Sequence, residues 1–204
     1  MIIETSFKQH DPEWFAQQLF SVGGTGVSNT VTSTGRDVKE SVWENYLIEK
    51  ASQRITGRAK PIFPSYEMKW GTEHEPEARE AFSFIKDVEV SECAMIFSDE
   101  KKEWHVSPDG IMLEQEEGFE VKCPQLKNHL EYLEKKTLPG IYRLQVQSSL
   151  AITGWDTWWF MSYFPGVKPL IIPIKRDEQL IAIIKEKVAK FLYELDELVT
   201  RLRA

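Results

Sequence analysis

Asp109, Glu120 and Lys122 are the residues of this 204-residue chain whose types and spacing suggest chemistry. Phe119-Glu120-Val121-Lys122-Cys123 reads as a short strand. A period of two puts Glu120 and Lys122 on one face and Phe119, Val121 and Cys123 on the other. Pro108-Asp109-Gly110 is a turn signal that presents Asp109 at the mouth of a neighbouring strand, 11 residues before Glu120. Gln115-Glu116-Glu117-Gly118 is expected to join the two strands as a hairpin loop. Two carboxylates and one ammonium then meet at a single sheet edge. Carboxylate oxygens suit a hard divalent cation such as Mg2+, and an amine beside them suits the handling of an attacking water. Each half has a plainer reading by itself: a Glu-x-Lys pair is also what a solvated strand face carries, and Pro-Asp-Gly is also an ordinary turn.

The flanking elements must position these groups. Gly71-Thr72-Glu73-His74-Glu75-Pro76-Glu77-Ala78-Arg79 lies in a helix predicted from about Tyr66 to Lys86, with Ala78, Phe82 and Ile85 as its core stripe. Gln145-Val146-Gln147 lies on a helix predicted from Ile141 to Thr153, with Leu144, Ser148 and Ala151 facing inward. An acid at a hairpin entrance followed by Glu-x-Lys is the PD-(D/E)xK nuclease signature. The order helical Glu, Ser-Pro-Asp-Gly, Glu-x-Lys-Cys-Pro, Gln-Val-Gln resembles the phage lambda exonuclease (YqaJ-type viral recombinase) family of alkaline exonucleases. The likeness runs over roughly residues 12 to 200. It implies one nuclease domain, 1–204, of α/β class, with a restriction-endonuclease-like core in which a mixed central β-sheet is flanked by helices.

The same resemblance implies a function. Family enzymes digest one strand of double-stranded DNA 5′→3′ from an end, using Mg2+ (Mn2+ is an alternative). They work as a homotrimer ring around the DNA and hand the 3′ overhang to a single-strand annealing protein for phage-type recombination. Carried onto this chain, Asp109, Glu120 and the Val121 carbonyl hold the metal, and Glu75 reaches it from the preceding helix. Lys122 positions or deprotonates the attacking water, its pKa lowered by the cations. Gln145 and Gln147 fall on different helix faces; the family match selects Gln147 for the site and leaves Gln145 exposed. Ser28, in the glycine-rich Ser21–Thr30 segment, resembles a DNA-facing residue. The family's phosphate-binding Arg would fall near Gln18, so Arg36 or Lys39 is the candidate replacement. Plainer readings stand beside these. Glu75 and Arg79 are i, i+4 and fit a surface ion pair, and Glu73 takes the role of Glu75 if the helix register shifts. His74 reads as a bystander and His105 as packing. Lys60, Lys127, Asn128 and His129 either flank DNA or are solvated.

Composition sets the bounds. A hydrophobic share of 42% with 7 Trp and 11 Phe marks a globular protein. No apolar run approaches the ~20 residues of a membrane span, and Met1-Ile2-Ile3-Glu4-Thr5 lacks a signal-peptide pattern. Cys93 and Cys123 are too few for a disulfide framework and form no Cys-x-x-Cys pair. The expected location is the cytoplasm of a bacterium or phage-infected host. A net charge of −7 argues against a general nucleic-acid coat, although carboxylates that hold cations contribute to it.

The remaining elements are predicted as helices at Asp11–Phe20, Asp37–Gly57, Gln125–Glu134 and Asp177–Arg203. Strands are predicted at Val88–Phe97, Trp104–Ser107, Trp155–Tyr163 and Lys168–Ile174. The last helix either covers the sheet or forms a subunit contact. Three other functions compete: a PD-(D/E)xK endonuclease of repair or restriction, a nuclease-fold protein that only binds DNA, and a protein of another class with a chance motif.

Overall fold

The computed structural model describes residues 1–59 and 63–204, so Lys60 lies outside the described residues. In chain order the elements are β1 (Ile2–Glu4), α1 (Pro12–Phe20), β2 (Val22–Gly23), a 3-10 turn (Gly26–Asn29), α2 (Glu40–Thr56) and α3 (Tyr66–Lys86). Then follow β3 (Met95–Phe97), β4 (Trp104–Val106), β5 (Gly110–Met112), β6 (Glu117–Lys122) and α4 (Leu126–Lys135). A 3-10 turn (Gly140–Tyr142), α5 (Arg143–Thr153), β7 (Thr157–Ser162), β8 (Leu170–Lys175) and α6 (Glu178–Arg203) complete the chain.

The expected α/β fold with mixed strands is present, and its strands divide into two four-stranded sheets. The first has the order β1-β3-β4-β2, with β2 parallel to β4 and the other pairs antiparallel. The second has the order β5-β6-β7-β8. Within it β6 and β7 run parallel, joined by a crossover through α4 and α5, and the outer pairs are antiparallel. Two apolar clusters hold these layers. Ala78 and Phe82 of α3 pack on Phe119, Val121, Cys123 and Met161 of the second sheet. Residues of α2, α5 and α6 pack on the first sheet and on Trp158. Gly118 makes room for that indole, since a Cβ there would lie 2.2 Å from its ring.

Several predicted boundaries move. The strand expected over Val88–Phe97 shortens to Met95–Phe97: Val88 and Val90 turn onto the α3 cluster, and Ser91 makes an isolated bridge to Ile111. The hairpin loop expected at 115–118 lies earlier, because Glu117 and Gly118 already pair with Met112 and Ile111. Ile85, expected in the core stripe of α3, is 50% exposed. Helix α6 covers the core, burying Ile181, Ile184, Val188, Phe191 and Leu195. No described helix is long and apolar enough to cross a membrane.

Candidate active site

Strand alternation decides which side chains meet. Phe119, Val121 and Cys123 enter the cluster under α3, which leaves Glu120 and Lys122 on the opposite face, toward α5. Glu120 is 1% exposed and Lys122 keeps 27% of its side chain open. The Asp109 amide donates to the Phe119 carbonyl, 3.1 Å, and the Val121 amide donates to Asp109 Oδ2, 2.7 Å. The turn is held from behind by Gln9, whose Nε2 donates to the Pro108 carbonyl at 2.7 Å. On α3, Arg79 Nη2 donates to Glu75 Oε1, 3.0 Å, while its Nε donates to the Asp109 carbonyl, 2.7 Å. The guanidinium also pairs with Glu92. The i, i+4 pair read as a surface feature is therefore a brace between α3 and the Pro-Asp-Gly turn.

Two groups bind the same oxygen of Glu120. The Lys122 ammonium pairs with Oε1, and Gln145 Nε2 donates to it at 2.6 Å. Among the described residues the Glu120 Oε2 and Asp109 Oδ1 atoms carry no protein hydrogen bond. Burial and the Asp109 charge push Glu120 up to about 8 and Glu75 up to about 7. Burial also raises Asp109, against the pull of Lys122, the Val121 N–H and Arg79. Burial opposes the Lys122 ammonium, but Glu120 and Asp109 outweigh it and hold the amine protonated.

The donor chemistry fits a hard divalent cation. Three carboxyl groups are driven toward their neutral forms by burial, and a cation satisfies such oxygens better than protons do. Among the described residues no three His, Cys, Asp or Glu side chains already stand as a preformed metal cluster. The pair Asp109 and Glu120 is the centre of the set, with Glu75 held to one side by Arg79.

A cleft of 380 Å3 opens on this site. Gly24, Thr25 and Ser28 come to it from the glycine-rich loop; Ile141, Tyr142 and Leu144 come from the turn into α5; Lys122 and Gln145 belong to the site itself. The loop reaches in because of its glycines. A Cβ on Gly24 would lie 2.9 Å from Val106 Cγ1, and one on Gly26 would lie 2.2 Å from the Tyr46 hydroxyl. A larger groove, 660 Å3, runs from Arg79 in the second half of α3 to Val90 in the segment after it, and none of Asp109, Glu120 and Lys122 lines it.

The structure thus brings Glu75, Asp109, Glu120, Val121 and Lys122 together and sets Ser28 in the adjoining cleft. Gln147 is elsewhere. It is 3% exposed, its Nε2 donates to the Lys175 carbonyl at 2.9 Å, and its Oε1 accepts the Asp177 amide at 2.9 Å, tying β8 to α6. Of the two glutamines it is Gln145, not Gln147, that reaches Glu120. The expectation of an exposed Gln145 failed because α5 is not a surface helix: every residue from Val146 to Thr153 is buried. Arg36 and Lys39 are exposed and are not among the cleft-lining residues. Lys127 and Asn128 are exposed on α4, whereas His129 is fully buried, bonded to Ser162 Oγ and the Lys168 carbonyl, and does not flank a ligand. His105 is packing, bonded to Ser21 Oγ at 2.7 Å, and His74 stacks on Trp70. Glu73 is exposed, so the register favours Glu75.

Residues 13–156 match the YqaJ-like viral recombinase domain family. No curated protein matches the sequence significantly. Among solved structures, the chain resembles an alkaline exonuclease, LHK-Exo, from Laribacter hongkongensis. That match has 29% identity and a TM-score of 0.84, covering 95% of this chain and 96% of the other. The structure of LHK-Exo in complex with dAMP matches with 29% identity, a TM-score of 0.83 and the same coverage. A phage related exonuclease from Haemophilus somnus 129PT shares the fold at 14% identity, with a TM-score of 0.69 over 89% of this chain and 96% of that one.

Proposed function

The chain belongs to the YqaJ-like viral recombinase family, and from that premise we propose that it is a metal-dependent exonuclease acting 5′→3′ on double-stranded DNA ends. One observation carries the reading. Asp109, Glu120 and Lys122 meet at the edge of β6, with Gln145 and Glu75 closing around them, beside a cleft open to solvent. Similarity to an alkaline exonuclease across 95% of the chain supports it.

Hydrolysis of a phosphodiester needs an in-line water, relief of phosphate charge and help for the leaving 3′ oxygen. A divalent cation, Mg2+ or Mn2+, held by Asp109, Glu120 and the Val121 carbonyl with Glu75 beside them, supplies the last two. The protein's own residues do the rest. Lys122, paired with Glu120 and open to the cleft, positions the attacking water or, with its pKa lowered by bound cations, deprotonates it. Gln145 and Lys122 fix Glu120 from two directions, so that carboxylate does not swing as charge develops. Arg79 keeps Glu75 and the Asp109 turn at constant separation. Ser28 and the loop backbone meet the DNA strand at the cleft. As further parts of the proposal, the chain assembles as a homotrimer ring, passes a 3′ overhang to a single-strand annealing protein, and works in the cytoplasm of a bacterium or phage-infected cell.

The test is digestion of linear duplex DNA with a labelled 5′-phosphate, in Mg2+ and in EDTA, beside a closed circular duplex. Mononucleotide release from the linear DNA, dependent on Mg2+ and at least about 100-fold reduced in Lys122→Ala, is expected. Cutting of the circle would move the assignment to an endonuclease, and absence of any cutting would leave a DNA-binding role.

A further inference from the structure

Strand β5 is paired along one side by β6. On its other side the segment 88–92 joins it by a single bridge: the Ser91 amide donates to the Ile111 carbonyl and the Ile111 amide to the Ser91 carbonyl, each at 2.9 Å. A residue that exchanges both bonds with its partner turns the backbone groups of its two neighbours the other way. The N–H and C=O groups of Val90 and Glu92 therefore face away from β5, and among the described residues none of them has a hydrogen-bond partner. The open edge stops at Val88, whose amide donates to the Ser83 carbonyl and whose carbonyl accepts from Ser83 Oγ. Unpaired backbone groups at a sheet edge are a template for another strand. The 660 Å3 groove lies between this segment and α3. Phe84, in its lining, is 87% exposed, an unusual state for so large an apolar ring. The charged lining residues are Arg79, Glu80, Asp87 and Glu89. Arg79 is already paired with Glu75 and Glu92, whereas Glu80, Asp87 and Glu89 make no ion pair among the described residues. An open strand edge, an uncovered ring and unpaired acids fit a cationic peptide segment, and the same acids repel DNA.

We propose that this groove docks a partner protein, which adds an extended segment rich in Lys or Arg as a further strand along residues 90–92 and covers Phe84 with an apolar side chain. Main-chain pairing supplies the affinity of such strand addition, and the side chains on alternate positions supply its specificity. The acids select the charge of the segment, and the ring selects its apolar residue. The groove and the cleft at Lys122 share no lining residue, so the partner and a ligand of the cleft are held at the same time.

The experiment is fluorescence anisotropy of the full chain with a labelled peptide, Lys-Thr-Lys-Leu-Lys-Thr-Lys, whose alternation puts the cations on one face and the leucine on the other. Saturable binding is expected with the wild type. Phe84→Ala is expected to weaken it about tenfold, as loss of an interface anchor does. Glu89→Gln is expected to weaken it about fivefold at low salt, whereas Glu197→Gln, on the exposed face of α6, stays within about twofold. Two methylated peptides separate strand pairing from charge. Methyl groups on one alternate set of backbone N–H groups abolish binding, and on the other set they change it less than about threefold. Absence of saturable binding overturns the proposal. Equal tolerance, or equal loss, of the two methylated peptides overturns it too, and so does an unchanged affinity in Phe84→Ala or an equal effect of Glu89→Gln and Glu197→Gln. If the peptide does not bind and Phe84→Ala lowers the mass of the chain's own assembly in light scattering, the occupant is a second copy and the partner segment is overturned. None of these readouts uses DNA, so they stand or fall apart from the nuclease reading.

Discussion

Glu120 owes its orientation to two donors on one oxygen, Lys122 from its own strand and Gln145 from α5. Gln145 and Gln147, two residues apart, therefore have opposite consequences when altered. Gln145→Leu is expected to lower kcat by about 10- to 100-fold, as loss of an outer hydrogen bond to a reacting carboxylate does, with little change in Tm. Gln147→Leu strands the Lys175 carbonyl and the Asp177 amide, each at about 1–3 kcal/mol. That loss is read in urea denaturation, and activity per folded molecule is retained. A Gln147 variant that is stable and inactive would reverse the two assignments. Periodicity separates the faces of these glutamines but does not say which neighbour each face meets, and here both faces are enclosed.

At the scale of elements, α1 and α2 meet around a buried amine. Lys50 of α2 is 4% exposed and donates to the Gln18 carbonyl at 2.6 Å and to Gln53 Oε1 at 2.9 Å. Burial, reinforced by Arg54, lowers its pKa from 10.5 to about 8. Between those two values the unfolded chain binds the extra proton, so stability rises with pH across the window. The gain is at most about 3 kcal/mol. Urea denaturation at pH 7.5 and 9.5 is expected to show it in the wild type, and Lys50→Met is expected to flatten it. Equal slopes in the two proteins would mean that Lys50 stays charged in its site. The helices and the short strand carrying Glu120 were legible because their periods are local. The Val88–Phe97 stretch was not, because its alternation fits either sheet partner and packing on α3 decided between them.

At the scale of the whole molecule, the homotrimer ring proposed above would hold DNA topologically, which suits a chain of net charge −7. Light scattering at micromolar concentration is expected to return three times the chain mass. A monomer under the conditions that support digestion would remove the ring and the processivity argued from it.

By itself the sequence determined that Glu120 and Lys122 share a strand face, that Asp109 stands at the hairpin entrance, and that the ordered motifs belong to one nuclease family. Backbone geometry guarantees such facts, because strand alternation and turn chemistry act over a few residues. Only the tertiary structure decided that Gln145 reaches Glu120, that Arg79 joins α3 to the turn, and that Ile141 opens onto the cleft. Those contacts cross 25 residues in one case and 30 in another. They depend on which layers cover a helix, and helical spacing is blind to that.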